Sequence, residues 1–393
     1  MAVNSQSLTQ AEFAKRIVAH EMFIARKAGG VRLILRFADL SGLAAPERDL
    51  ADADLSGSNL TNCNLAGARL DRAILFGCDL TGAILTKAVL RRADLRGVVL
   101  SGADLSGADL QDADLRPGQL AVHTVDGFAS SSTRRQKRAT VADGANLAGA
   151  NLNRARFEEA SAFAADFSDC SMRGANLRGA KLKSAILRGA LLEDADFRDV
   201  NLEGADLSGA VMEGAQLTGS ILTDACLTGA LKAPDAEAMA RRPALMEALA
   251  GHQVWCLTAG KQGDAAQLAG ADLRVVGDAL LKAQLTGLQA PGAILIRLNL
   301  QGADLQAANL EGADLRSADL RGADLRGARL GGANLVRADL RGALLQDLVI
   351  GPRSTPTDLS GAQLRFADCR GAHLSQDRLA DADATNARFD VAA

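Results

Sequence analysis

Aromatic residues are nearly missing from this 393-residue chain: they make up 3%, with one Trp and no Tyr, against 48% hydrophobic residues overall. A thick globular core draws much of its bulk from aromatic side chains. The interior expected here is therefore narrow and built from Leu and Ala. No apolar run approaches the ~20 residues that span a bilayer, so no membrane is expected. The first ten residues, MAVNSQSLTQ, hold neither the basic nor the apolar stretch of a secretion signal, and the expected location is the cytoplasm. The six Cys show no CxxC pair and no shared spacing, which argues against a disulfide framework. Cys63, Cys78 and Cys170 stand where Ala usually stands and read as small buried thiols. The four His form no HxH or HExxH motif, so no metal is expected. No glycine-rich loop is followed by Lys-Ser/Thr, and no cofactor is expected. The 44 basic and 47 acidic residues nearly cancel. That removes a global pull toward nucleic acid or an anionic surface, and direct nucleic-acid binding is not expected.

What the chain has in abundance is a period of five. Residues 310–335 read LEGADLRSADLRGADLRGARLGGANL. With Leu315, Leu320, Leu325 and Leu330 as the central position, Ala lies two residues before each. Asp or Arg lies one before, a polar residue usually one after, and Gly often two after. Five matches neither the helical nor the strand period. In extended chain, residues two apart face the same way, so Ala and Leu point inward together and their neighbours point out. Gly then suits a sharp bend. Each pentapeptide becomes one short side and one corner of a coil, with successive coils pairing about 4.8 Å apart. The result is an all-β solenoid, whose number of sides the period alone leaves open.

Tandem ADLRG, ANLAG and ADLSG motifs over most of the chain resemble the pentapeptide-repeat family, A(D/N)LXX. The resemblance implies a right-handed quadrilateral β-helix with about twenty residues per turn, so that residues twenty apart stack on one face.

The repeat phase divides the chain. Arrays run from about Leu40 to Leu120 and from Leu147 to Leu227. A third begins near Leu268, slips phase through VVGDAL and holds from Leu280 to Leu345, and a short degenerate one spans Leu359–Phe389. Insertions at 116–144 and 348–358 read as loops. Two segments abandon the repeat for helical patterns, 7–30 and 234–263. Thr9 and Glu12 form a capping box ahead of the first, Gly29–Gly30 stop it, and Pro243 starts or kinks the second. Phe13, Ile17, His20 and Ile24 match Leu245, Leu249, His252 and Cys256 in spacing, and an aromatic follows each His by three, at Phe23 and Trp255. The organisation expected is a duplicated one. A helical cap (1–30) precedes a first solenoid (31–233), and a second cap or linker (234–263) precedes a second solenoid (264–393). The His-aromatic leaders also resemble those of other bacterial pentapeptide-repeat proteins. Such helices would cover the open hydrophobic interior and unpaired strand groups of a solenoid end. The second could serve the start of its own unit, the end of the first, or both.

For chemistry the sequence offers little. His20 and His252 lie on the apolar faces of their helices, with no acid, base or nucleophile beside them in sequence. They read, with Phe23 and Trp255, as structural cap residues, His bonded to a coil-end carbonyl. The periodic Asp residues read as a solvated outer face, not a carboxylate pair. No enzyme is expected. The basic run Arg134, Arg135, Lys137 and Arg138, within 121–142, is the first candidate for contact with an anionic partner. A passive flexible loop is the competing reading. Leu191 and Val211, twenty apart, would stack as an outward apolar patch. Lys183 would sit by Glu203, and Arg173 by Glu193. The leading function is a non-catalytic scaffold whose partner is another protein. The alternative comes from the family, some of whose members imitate DNA and act on DNA gyrase. That reading needs a largely unbroken acidic stripe. Here the column before Leu is interrupted by Ile74, Ile84, Val89 and Val99, and by Lys181, Ile186 and Leu191, while 310–335 alternates Asp with Arg.

Overall fold

The computed structural model describes residues 7–126, 130–374 and 376–390, with side chains placed except at 120–136 and 376. Its elements, in chain order, are α1 (Gln10–Ile24), β1 (Gly118–Asp126), β2 (Ser130–Arg138), α2 (Ala236–Leu257), β3 (Leu348–Ile350) and β4 (Arg353–Thr355). Most of the chain between and around them is the five-residue repeat. Each central Leu begins a turn, closed at the first side by Leu43 N–H donating to Leu40 O at 3.1 Å. The residue two after Leu adopts positive φ, as at Gly42 (φ 70°). That left-handed value is where glycine escapes the penalty a Cβ imposes.

Parallel bridges join residues twenty apart, Asp39 to Asn59 and Asn59 to Asp79, and four central positions fall within that separation. The coil is therefore four-sided. Each rung is a backbone pair of bonds: Leu40 N–H to Asn59 O at 2.8 Å, Asn59 N–H to Ala38 O at 2.9 Å. Leu and Ala fill the interior, with Leu60, Leu320, Ala68 and Ala323 fully buried. Phe157 and Phe167 take central positions and meet edge to face at 6.2 Å. The thiols of Cys63 and Cys78 occupy Ala positions and bond the carbonyls of Leu40 and Leu55. Burial pushes them up to about 11 and about 12.

The chain forms two compact units, Met1–Ala233 and Pro234–Ala393. Within the first, the ladder runs straight through the insertion, since Val99 bridges Val141 and Asp104 bridges Asn146. Two of the arrays that look separate in sequence are one solenoid. The insertion is not a loop: β1 and β2 form an antiparallel hairpin from Gly118↔Arg138 to Asp126↔Ser130. Pairing satisfies the inward-facing half of its backbone donors and acceptors, which an open loop would leave to water. In the second unit, the phase slip at VVGDAL is a pair of short 3-10 turns within Leu273–Leu280, broken at Gly277 (φ 61°, ψ −132°). It absorbs two extra residues, for Gln267 pairs with Gln289 while Gln284 pairs with Asp304. The insertion after Leu345 is a shorter hairpin, β3–β4.

Candidate interaction surfaces

The outer walls are built from the residues flanking Leu. Asp or Asn before Leu is an acceptor for its own turn. Asp39 Oδ1 takes the Ser41 N–H at 3.1 Å, and Asn59 Oδ1 takes the Thr61 N–H at 3.1 Å. This is an Asx turn, one reason short polar side chains suit bends. Where Asp precedes the central residue and Arg follows it, the Arg folds back on that same carboxylate. One wall of the second unit becomes a zipper, with Arg321–Asp319, Arg341–Asp339 and Arg370–Asp368 each at 2.6 Å. Cross-coil contacts extend it, Arg321–Asp339 at 3.7 Å and Arg341–Asp368 at 3.9 Å. Their Arg partners hold Asp319 and Asp368 below the usual carboxylate range. In the first unit Lys183 meets Glu203 at 2.9 Å and Arg173 meets Glu193 at 3.3 Å.

Leu191 and Val211 bridge each other in the ladder, but they do not form an open patch. Each is 1% exposed, and Ser171 and Glu193 of the same wall are also buried. A continuous apolar strip is what the hydrophobic effect removes from water.

α1 meets the first coil through polar side chains that act as strand partners. Gln10 Nε2 donates to Ala44 O, and Gln10 Oε1 accepts the Ala44 N–H, both at 2.8 Å. Glu21 accepts the Asp49 N–H at 3.2 Å and is held by Arg48. His20 is fully buried; its Nδ1 accepts the Leu33 N–H at 3.0 Å, and its Nε2 lies 2.9 Å from Ala51 O. Phe13 and Ile17 enter the same core as Leu33 and Leu40. In the second unit His252 is equally buried, and its Nδ1 accepts the Ala266 N–H at 3.1 Å. Its ring stacks on Trp255 at 5.5 Å, as His20 stacks on Phe23 at 6.0 Å. Burial pushes both imidazoles down.

The two hairpins leave the solenoid in the same way, and sequence reasoning missed the residue responsible. Thr140 and Thr357 take the Ala position where each hairpin rejoins the coil, and both are buried. Thr140 Oγ1 accepts the Gly97 N–H and donates to Arg116 O, both at 3.0 Å. Thr357 Oγ1 accepts the Gly327 N–H and reaches Gln346 O, again at 3.0 Å. A Thr two residues before a restored repeat, at the end of an insertion, is the signal that could have found them.

Of the basic run, Lys137 pairs with Glu159 and Arg138 Nη1 donates to Gly77 O at 3.0 Å. Arg134 and Arg135 lie on β2, opposite Val122 and Ala121. Their side chains, with that of His123, fall outside the described residues. On the second hairpin Val349 and Ile350 are exposed. Val349 borders an open cleft of about 640 Å³ lined also by Asp347 and His373. Among the described residues no cluster of three metal-ligating side chains occurs, and no helix is long and apolar enough to cross a membrane.

A family model, pentapeptide repeats, matches spans lying between residues 49 and 116, 143 and 231, 293 and 347, and 357 and 390. The chain belongs to the pentapeptide-repeat family. No curated protein is a significant match. Among solved structures, the chain is similar to HetL of the cyanobacterium Nostoc, described as involved in heterocyst differentiation regulation. The identity is 23%, the match covers 92% of this chain and 95% of HetL, and the TM-score is 0.29. QnrB1, described as a plasmid-mediated fluoroquinolone resistance protein, is 18% identical over 52% of this chain and 93% of its own, with a TM-score of 0.26. A pentapeptide repeat protein of the Arabidopsis thaliana thylakoid lumen is 31% identical over 33% of this chain and 66% of its own, with a TM-score of 0.14.

Proposed function

We propose that this protein is a non-catalytic scaffold that binds another protein, working in the cytoplasm through the two hairpins that interrupt its solenoids. The observation carrying this reading is the contrast between walls and hairpins. On the walls, carboxylates are engaged by their own turns and by neighbouring Arg. The hairpins interrupt that pattern: β2 carries Arg134 and Arg135 opposite Val122 and Ala121, and β3 exposes Val349 and Ile350. Function gathers on segments carried by a rigid frame. In this reading residues 1–30 and 234–263 are end caps, and 31–233 and 264–393 are the display units. The free cysteines suit a reducing compartment.

Crosslinking in the native cell, with the full chain and with 118–138 replaced by a short turn, tests this. Partner crosslinks should map to the hairpin and vanish with it; an unchanged partner set would remove the hairpin from the function. The gyrase-directed alternative requires an unneutralised acidic stripe, and the Asp–Arg zipper offers the opposite. A supercoiling assay should show no inhibition.

A further inference from the structure

We propose that His20 and His252 are acid-released latches, each holding a helix against the first coil of its own unit until a second proton reaches Nδ1. The inference rests on the helix contacts and on no assumption about the partner.

The tautomer follows from the neighbours. Leu33 N–H donates to His20 Nδ1 at 3.0 Å, so that nitrogen must carry a lone pair. The ring hydrogen then sits on Nε2, where it donates to Ala51 O at 2.9 Å. Neutral imidazole satisfies both contacts, and imidazolium does not. A proton on Nδ1 would set N–H against N–H, leave a buried donor unpaired and place a charge among Leu side chains. His252 repeats the arrangement independently: Ala266 N–H donates to its Nδ1 at 3.1 Å, and its ring too is fully buried. The buried Nε2 of His252 faces the carbonyls of Leu285 and Thr286 without closing a hydrogen bond to either. Two units that share this acceptor geometry, at the same place in the helix and over the same kind of coil, carry the inference further than either alone.

The groups around each ring set the balance. At His20, burial acts most strongly against the charged form. The Ala51 carbonyl, Asp49 and Asp52 of the first coil favour it, and Arg32 opposes it. Glu21, the neighbour on α1, is bonded by Arg48. At His252 burial again leads, opposed by the Leu285 and Thr286 carbonyls. Both imidazoles are held below the ordinary 6.5. Their contribution to stability is therefore complete above the unfolded value and is lost as pH falls through the folded one.

The latch on α1 also guards an edge. Its contacts occupy the Leu33 and Asp49 N–H groups, the Ala51 carbonyl and both backbone groups of Ala44. Lifting α1 turns that coil into an unpaired parallel edge, the template strands use to pair with other strands.

Amide hydrogen exchange of the full chain between about pH 7.5 and pH 4.5, expressed as protection factors, tests the proposal. Arg48 and Arg72 hold Glu21 and Asp52 below the ordinary carboxylate range, so the window stays above the titration of these two carboxylates. Protection over 10–24 and 236–257 should fall by up to about tenfold for each pH unit between the unfolded value near 6.5 and the folded one, and level off below it. Coils between 300 and 345 should hold theirs. His20→Asn and His252→Asn offer an acceptor near the Nδ1 position and cannot titrate there, so each should flatten the profile of its own helix only. Should either variant fail to keep its helix, nitrogen NMR of the wild-type imidazoles supplies the second readout. Each ring should be the Nε2–H tautomer at neutral pH and become imidazolium in step with its helix's loss of protection. Helix protection that ignores imidazole titration, or an unchanged acid profile in both Asn variants, overturns the proposal.

Discussion

At the residue scale, the position two after Leu does most to decide how well a pentapeptide fits. It needs positive φ, and Gly102 and Gly209 supply it with open space where a Cβ would stand. Ala164 (φ 52°) and Ala307 (φ 54°) occupy the same position with a Cβ that has no compensating polar group. Ala164→Gly and Ala307→Gly should therefore each raise stability by roughly 0.5–1 kcal/mol, the relief of left-handed strain outweighing the added chain entropy. Gly209→Ala should lower it by about 1 kcal/mol. Denaturant unfolding midpoints check both signs. The alternation of Leu and Ala was legible at this scale because a two-residue period leaves only one way to face a core. The work of Asp before Leu was not. A charged residue on an outer wall looks solvated until the turn N–H it accepts is seen.

At the element scale, the inserts show how an interruption is tolerated. Thr357 gives the Gly327 N–H and the Gln346 carbonyl one shared partner inside the wall. Thr357→Val keeps the shape and removes that partner, so a loss of about 1–3 kcal/mol is expected in urea unfolding, with Thr357→Ser recovering most of it. α1 is marked in sequence by its capping box, which the structure contains, Thr9 Oγ1 accepting the Glu12 N–H at 3.3 Å. What sequence could not supply is the part Gln10 and Glu21 take as substitute strand partners. Their acceptors and donors belong to residues 28 to 34 positions away, and no local pattern encodes that separation.

At the scale of the whole molecule, the ladder passes hairpins by. Leu100 N–H donates to Val141 O at 2.6 Å, across the insertion. Replacing 118–138 with a short turn should leave the far-ultraviolet circular dichroism of the coils unchanged and shift stability by less than about 1 kcal/mol. A collapse of the spectrum would mean that the hairpin supports the coil. The Asp–Arg zipper makes a second prediction. Arg321 and Arg370 hold Asp319 and Asp368 below the ordinary value of 3.8. The support these carboxylates give is present above that value and fades as pH falls through the folded one. High salt should weaken it in the same direction. Thermal unfolding of residues 234–393 within the full chain, followed by hydrogen exchange across acid pH and salt, measures it.

The sequence by itself determined the coil: a period of five, inward Leu and Ala, a glycine-favouring bend and neighbouring coils within reach of backbone pairing. Those features repeat locally, so each pentapeptide states them again. Tertiary structure alone decided the departures. It joined two arrays across the insertion and made that insertion a hairpin. It buried Leu191 and Val211 and paired Lys137 with Glu159. Each of these outcomes depends on which distant groups meet, and a repeat that is the same at every coil carries no record of where it will be interrupted or covered.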